Sequence, residues 1–406
     1  MANAGFEVPP RALWIGALLL VIGIGAARIV STYKVFTQTY DEELHLACGM
    51  EWLDLGRYQY EPQHPPLARI FLAIGPYLDG SRSHRTPVVV TDRNGLPQSG
   101  MTDEGDKILY ATNYWRTLAL ARFGILPFFI LACLMVWFWT RHLFGRPAAL
   151  VAALLFCNIP PILGHAALAT TDMAAAATLV SALYALTLYL ETPTWRHGIL
   201  LGVALAAAVL SKFSNVAFLA VSLLAAVLFR ALWNRHFSLR CPRVRWRHGA
   251  ACIVVAVVAV WSVYRFAWDP VILPGKDFAS QEKSTQLARL PHGELRNYAM
   301  ALLERPLPLG QLVRGLGSVY LHNSRGHPSY LFGEFRETGW WYFFPVVLAV
   351  KTPIAFLLLA GIGSVLSIRR LWQGGNEIAP LYPLVFAATI FAFCMEAAST
   401  SVFATS

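Results

Sequence analysis

Two stretches decide the fold of this chain: YDEELH at 40–45, and QHPPLAR at 63–69. Both follow the first long apolar segment, near 12–30. Carboxylates are costly near hydrocarbon, so three consecutive acids at the end of such a segment indicate either a solvated helix start or a functional site. In the first interpretation Asp41 caps the next helix, with the two acids that follow in its first turn. Both interpretations remain open for Asp41.

The composition is that of a polytopic membrane protein. Of 406 residues, 56% are hydrophobic and 14% are charged, and the mean hydropathy is +0.49. A soluble protein of this length carries nearly twice that share of charge. Apolar runs long enough to cross a bilayer predict an all-α bundle of about nine transmembrane helices. These lie near 12–30, 117–139, 147–163, 172–190, 197–211, 214–233, 249–267, 342–367 and 380–398.

The distribution of arginine predicts the orientation. With nine spans and a cytoplasmic N-terminus, the arginine-rich loops, among them 230–247, all fall on the cytoplasmic side. The net charge of +10 then reflects topology and contact with anionic lipid, and nucleic acid is not needed to explain it. Two long outer loops, 41–116 and 268–341, remain within a single membrane-embedded domain, 1–406.

The first outer loop is the first place where chemistry could be housed. Apolar side chains on one face of 42–55 predict an amphipathic helix on the membrane surface, with Gly56 as its C-terminal cap. A second surface helix is predicted over 65–78, because proline favours the first helical position. A polar loop, 79–107, follows.

Two further ionisable residues are predicted at short outer turns. Asp172 starts a span, where it either caps the helix or serves a function. Lys212 is the only cation in the short outer turns, so it either extends toward water from a membrane edge or binds an anion. Both alternatives stay open for both residues.

These motifs resemble those of family 39 glycosyltransferases, the protein O-mannosyltransferases and related bacterial enzymes that use a phospholipid carrier. The family's Asp-Glu pair after the first span is matched by Asp41-Glu42, and its His-Pro-Pro-Leu element by residues 64–67. The aminoarabinose transferase branch has Glu-Lys-Pro-Pro-Leu, where this chain has Gln63 and His64. The stretch 339–353, which contains GWWYFFP and ends in KTP, is similar to bacterial members.

The resemblance implies a GT-C-like helical bundle that transfers a hexose or pentose from a polyprenyl-phosphate carrier to an acceptor hydroxyl, with inversion. A hydroxyl is a weak nucleophile, so a carboxylate must take its proton, and Asp41 is the predicted general base. Glu42 or His45 would orient the base or the acceptor. The leaving phosphate needs fixed cations, for which Lys212 is the first candidate. The other predicted substrate-binding residues are Arg69, His64, Asp172 and His327.

The same resemblance sets the expected partners and location. The partners are a polyprenyl-phosphate-linked sugar, the bilayer, and an acceptor that is a protein, a lipid or a glycan. The six cysteines show no disulfide or zinc spacing, and no cofactor is indicated with certainty; a divalent metal is compatible with the site but not indicated. We expect a bacterial inner (plasma) membrane protein with its active site facing the periplasm or exterior. Relatives continue with further spans, so we expect a truncated C-terminus at Ser406.

Two other classes compete with the enzyme. A transporter or flippase of a lipid or lipid-linked sugar would place ionisable residues near the bilayer midplane. Arg122 and Glu396 are the charges predicted within spans, whereas the acids and histidines gather at the outer face. An inactive membrane scaffold is the third possibility, and a substitution at Asp41 would then change nothing.

Overall fold

The computed structural model describes most of the chain. The described residues are 10–85, 89–91, 97–99, 101–237, 246–271, 294–324, 329–336, 339–373 and 378–400. They form an almost entirely helical structure, so the predicted all-α class is confirmed. His327, one of the predicted substrate-binding residues, lies outside the described residues.

Sixteen α-helices are present in the described part of the chain. They are α1 (Arg11–Ser31), α2 (Glu42–Asp54), α3 (Pro66–Leu78), α4 (Met101–Tyr110), α5 (Tyr114–Phe123), α6 (Leu126–Phe156), α7 (Pro160–Ala166), α8 (Asp172–Glu191), α9 (Trp195–Ser211), α10 (Ser214–Phe237), α11 (Trp246–Val263), α12 (Glu294–Leu303), α13 (Gly310–Ser324), α14 (Phe343–Lys351), α15 (Ile354–Trp372) and α16 (Tyr382–Thr400). Three antiparallel two-stranded ribbons join β1 (Val89–Thr91) to β2 (Pro97–Ser99), β3 (Trp268–Pro270) to β4 (Pro306–Pro308), and β5 (Ser329–Leu331) to β6 (Glu334–Arg336).

The long helices are apolar enough to cross a membrane. Among the described residues, six helical segments pass this test, and the bent pair α14–α15 gives a seventh. One of the six, Tyr114–Phe156, contains a break at Gly145, whose φ of 84° interrupts α6 between two predicted spans. The 17-residue α9 is shorter than the other spans. Each of the nine predicted intervals falls on one or more of these helices, and the protein is a multi-pass integral membrane protein.

One predicted span is broken. The interval 342–367 was expected to form a single helix, but α14 and α15 meet at an angle of 114°. The cause is Pro353, which forces the preceding Thr352 into an extended conformation (φ −106°, ψ 134°). Lys351 therefore ends α14 and is exposed.

The helices pack in sequence around three clusters of buried hydrophobic residues. α6 packs against α1 and α8, α8 against α9, α9 against α11, and α10 against α16. Because α8 and α9 are antiparallel neighbours, the first residue of α8 and the residue after α9 come to the same end of the bundle. We call that end, where α1 finishes and α8 starts, the site end.

The segment between α1 and α5 folds over the site end. Here α2 packs against both α3 and α4, and most of its residues are buried, so the expectation of a single apolar face on this helix is wrong. Two glycines make this packing possible. A Cβ at Gly49 would lie 2.0 Å from the Arg69 carbonyl oxygen, and one at Gly105 would lie 2.1 Å from that of Glu43. The backbones of α2, α3 and α4 therefore touch directly.

Candidate active site

Asp41 stands at the start of α2 with an open carboxylate. It occupies the N-cap position, but its side chain makes no capping hydrogen bond and is exposed. No ion pair or hydrogen bond joins this side chain to any other residue that the structure describes. The interpretation of Asp41 as a helix cap is therefore wrong for the side chain, and the carboxylate is free to meet a ligand.

The adjacent Glu42 is in the opposite situation. Its side chain is 1% exposed, and Arg122 donates to both of its oxygens at 2.8 Å. The backbone N–H groups of Thr39 (2.8 Å) and Ala169 (2.7 Å) donate to the same carboxylate. Glu42 thus joins α2, α5 and the segment before α8, and its assignment as a residue that orients the base or the acceptor stays a prediction.

Arg122 is a residue whose role the sequence did not reveal. It lies within Tyr114–Phe156, which is apolar enough to cross a membrane, and it is buried at the site end, where all its polar groups have partners. Besides Glu42, its Nη atoms donate to the carbonyl oxygens of Tyr33 (2.7 Å), Phe36 (2.8 Å) and Thr37 (2.9 Å). The loop after α1 therefore wraps around one guanidinium, and this loop leads directly into Asp41. The only sequence signal was an arginine at the end of an apolar helix, which needs a partner.

A second buried arginine organises the QHPPLAR stretch. Arg69 has no exposed surface and donates to the hydroxyl of Tyr58 (2.8 Å), the carbonyl oxygen of Glu61 (2.9 Å), Nδ1 of His45 (3.1 Å) and the Glu61 carboxylate. The guanidinium is already enclosed by protein, and the prediction that Arg69 binds a phosphate stays untested. The same carboxylate lies 3.1 Å from Nδ1 of His64, which is 30% exposed.

Charges and burial shift the pKa values of three groups in this region. Burial opposes ionisation of Glu61, but the charge of Arg69 and the contact with His64 outweigh it and lower the pKa of that carboxyl to about 2. Burial and the nearby Arg69 charge hold the pKa of His45 well below its usual range, so its imidazole is neutral.

Glu43 is the third group, and sequence reasoning did not single it out. Burial, followed by the charges of Asp106, Asp41 and Glu42, raises its pKa to about 7. Its side chain is 4% exposed, and its Oε2 atom has no hydrogen-bond partner among the described residues.

Asp172 and Lys212 form an open ion pair near His45. Nζ of Lys212 donates to Oδ1 of Asp172 at 2.5 Å, and Nδ1 of His165 lies 3.4 Å from Oδ2. The Lys212 side chain is 32% exposed and that of Asp172 is 41% exposed. Asp172 does not cap its helix, since the N-cap of α8 is Thr171. Both charges are close enough to influence the ionisation of His45, so the two clusters are neighbours.

An apolar cavity of about 680 Å³ opens next to the ion pair. It lies between α1, α7 and the end of α14, and most of its lining side chains are apolar. Its polar lining consists of Arg28, Thr32, Arg122, His165 and Lys351, and none of its lining residues in the described part of the chain is acidic. His165 connects the cavity to the open ion pair, because it is part of the lining and its Nδ1 atom lies 3.4 Å from Asp172. Among the described residues, this site included, no group of three histidine, cysteine or acidic side chains is placed to hold a metal.

Comparison with known proteins identifies the fold. Residues 118–264 match the family described as dolichyl-phosphate-mannose-protein mannosyltransferase. The structure is similar to that of ArnT from Cupriavidus metallidurans, solved bound to undecaprenyl phosphate (TM-score 0.56, 16% identity, 97% of this chain and 57% of that chain). The chain has the GT-C fold. The predicted relation to the GT-C glycosyltransferases is thus confirmed at the level of the fold.

Other matches to proteins with this GT-C fold are weaker. The archaeal oligosaccharyltransferase AglB from Archaeoglobus fulgidus, solved with an inhibitory peptide and a dolichol-phosphate, has a TM-score of 0.49 and 16% identity over 95% of this chain and 50% of that chain. No curated protein matches the sequence. This chain spans 57% of the length of the ArnT chain that it matches.

Proposed function

We propose that this protein transfers a sugar from a polyprenyl-phosphate carrier to an acceptor hydroxyl, with inversion at the anomeric carbon. The observation that carries the proposal is the apolar cavity with a cationic, acid-free lining beside the open Asp172–Lys212 pair. An anionic amphiphile fits these surroundings, because its tail needs apolar contacts and its head needs positive charge. ArnT, which has a similar fold, was solved bound to undecaprenyl phosphate.

Three cations are available for the carrier phosphate. Lys351 has no hydrogen-bond or ion-pair partner among the described residues, and Arg28 donates only to the neutral Asn158, at 2.7 Å. Lys212 is shared with Asp172 but keeps about a third of its side chain exposed. In this proposal Lys212 binds the phosphate, with its ammonium held by Asp172, which His165 contacts from the cavity lining.

Asp41 is the proposed general base. In the reaction, its carboxylate takes the proton of the acceptor hydroxyl while the hydroxyl oxygen bonds to the anomeric carbon. The bond between that carbon and the carrier phosphate breaks, and the phosphate oxygen leaves with the electron pair. The cations beside it stabilise the charge that grows on that oxygen. Asp41 is suited to this role because its side chain is exposed and has no partner among the described residues.

We also propose a bacterial plasma membrane location, with the N-terminus in the cytoplasm and the site end outside. The arginine-rich loops support this orientation. A cysteine introduced at the exposed Lys107, near the site end, should react with an impermeant thiol reagent in intact cells. A cysteine at Arg141, at the opposite end, should react only after lysis. Labelling of the second cysteine from outside would reverse the orientation.

The test of the function supplies both donor classes to the purified protein in proteoliposomes. We expect transfer from a polyprenyl-phosphate sugar and none from a nucleotide sugar without a lipid carrier. Transfer from a nucleotide sugar alone would overturn the donor assignment. Movement of a lipid-linked sugar between leaflets without transfer would instead favour the transporter alternative.

A further inference from the structure

Two imidazole rings meet at the centre of the site end. His45 of α2 and His64, just before α3, have ring centroids 5.1 Å apart and ring planes at 73°. Each ring contacts one member of the Arg69–Glu61 ion pair through its Nδ1 atom. These two contacts are chemically opposite, because arginine only donates hydrogen bonds and a carboxylate only accepts them.

The contact with Arg69 fixes the proton of His45. Nε of Arg69 donates to Nδ1 of His45 at 3.1 Å, so Nδ1 must be unprotonated. The ring is 2% exposed and lies beside a buried cation, which keeps it neutral. A neutral imidazole with a bare Nδ1 carries its proton on Nε2. None of the described residues accepts a hydrogen bond from this N–H.

The contact with Glu61 fixes the opposite arrangement in His64. Because the ionised Glu61 can only accept, the proton of His64 is on Nδ1, 3.1 Å from the carboxylate. Arg69 is permanently charged and is already paired with this one carboxylate, so a second positive charge on His64 would be uncompensated. With its proton on Nδ1, a neutral His64 ring offers the lone pair of its partly exposed Nε2.

We propose that His45 and His64 form a binding subsite for one hydroxyl group, which accepts a hydrogen bond from Nε2–H of His45 and donates its own to Nε2 of His64. The proposal rests on the proposed function, in which a hydroxyl is the acceptor. The two rings are neighbours, with centroids 5.1 Å apart, and a hydroxyl that bridges them needs their Nε2 atoms within about 5.5 Å of each other, twice an ordinary hydrogen-bond length. The pair positions the hydroxyl, while Asp41 remains the base.

This arrangement selects the ligand by its hydrogen-bonding pattern. A phosphate dianion only accepts and an ammonium only donates, so neither satisfies both rings. A hydroxyl does both. His64 therefore binds the acceptor in place of the phosphate contact predicted from the sequence.

The first test determines the two tautomers directly. The full chain, with ¹⁵N-labelled histidine, is placed in phosphatidylcholine nanodiscs at pH 7, and the ring signals are assigned with His45→Asn and His64→Asn. We expect the proton of His45 on Nε2 and that of His64 on Nδ1. The same tautomer in both rings, or a doubly protonated His64, would overturn the subsite.

The second test titrates three probes against the same signals: glycerol as a hydroxyl, inorganic phosphate as an acceptor only, and ammonium as a donor only. Glycerol should shift both Nε2 signals, and the other two probes should not. His142, paired with Glu191 at the opposite end of the bundle, is the internal control and should not move. A shift of both signals by phosphate, or no shift with glycerol, would contradict the proposal. Neither outcome depends on turnover, so failure here is distinguishable from failure of the donor assay.

Discussion

Two ion pairs at the site end of the bundle are built in opposite ways. In the Glu42–Arg122 pair both side chains are 1% exposed, and Glu42 also accepts from two backbone N–H groups. In the Asp172–Lys212 pair the side chains are 41% and 32% exposed, and His165 is their one further contact among the described residues. The first pair has no capacity left for a ligand. In the second pair, a side chain could release its present partner and bind a ligand.

The difference separates an ion pair suited to holding the fold together from one suited to binding a ligand. A buried, saturated pair cannot lose one member without leaving a charge uncompensated, so it holds backbone segments in place. An exposed pair contributes little to stability, so it can reorganise around a substrate at low cost. The adjacent residues Asp41 and Glu42 show the same contrast. Asp41 is exposed and has no partner among the described residues, whereas Glu42 is buried and hydrogen-bonded.

The largest expected effect separates these two neighbours. Asp41→Asn removes a proton acceptor from a side chain with no described partner, so turnover should fall by about 10²–10⁴-fold while abundance and thermal stability stay normal. Glu42→Gln should instead lower stability. Initial rates and unfolding midpoints of both purified variants measure the contrast. Normal turnover in Asp41→Asn would remove the base assignment.

Arg122→Ala should break the saturated pair. It leaves Glu42 and three carbonyl oxygens without their donor, which should lower the free energy of unfolding by about 3–5 kcal/mol. Arg116→Ala is a matched control on the same helix, because its pair with Asp79 has an arginine side chain that is 66% exposed. The control should cost at most about 1 kcal/mol. Denaturation in detergent measures both, and equal losses would contradict the comparison.

Lys212→Ala should break the open pair, and here we expect a loss of activity with little loss of stability. Stability should change by less than about 1 kcal/mol, because the pair is exposed. Use of the polyprenyl-phosphate donor should weaken about 10–100-fold, the usual effect of losing one charged hydrogen bond. Lys212→Arg should keep part of the activity, and Lys34→Ala, at an exposed lysine near the same end, should keep all of it. An unchanged donor KM in Lys212→Ala would rule out the phosphate contact.

Glu43→Gln tests a buried acid without an ion-pair partner, through the pH dependence of the free energy of unfolding. Folding raises the pKa of Glu43 from 4.5 to about 7, so the folded state binds this proton more tightly than the unfolded state. The wild type therefore loses stability as pH rises from about 4.5 to about 7, and the loss remains above pH 7. The variant should be more stable by about 1–3 kcal/mol at pH 8 and equal at pH 4. Asp103→Asn, at an exposed site on α4, is the control. A difference independent of pH would show that Glu43 is ionised in the folded protein.

Local signals made much of this fold predictable. The expected helices at 42–55 and 65–78 agree closely with α2 (Glu42–Asp54) and α3 (Pro66–Leu78), because acids, prolines and a glycine mark their ends. Gly56, the predicted C-terminal cap, has a φ of +69°. The apolar intervals fall on helices because length and hydropathy identify membrane segments without tertiary information.

The rest depended on contacts between distant parts of the chain. Arg122 and Glu42 are 80 positions apart, so no local pattern joins them. Burial of α2 on most sides follows from glycines whose neighbours come from other helices. Glu61 was adjacent to a quoted motif, yet its role appears only once Arg69 is known to be buried and in need of a carboxylate. Asp41 could be proposed from the sequence because the residues beside it carry the motif.

The loop wrapped around Arg122 also sets an order of assembly during synthesis. The carbonyl groups of Tyr33, Phe36 and Thr37 leave the ribosome more than 80 residues before the guanidinium that binds them. These contacts can form only after Arg122 has been synthesised. The contacts of Glu42 with Ala169 and of Trp52 with Val263 and Arg265 must follow later still, so this segment completes its contacts in the order in which its distant partners emerge.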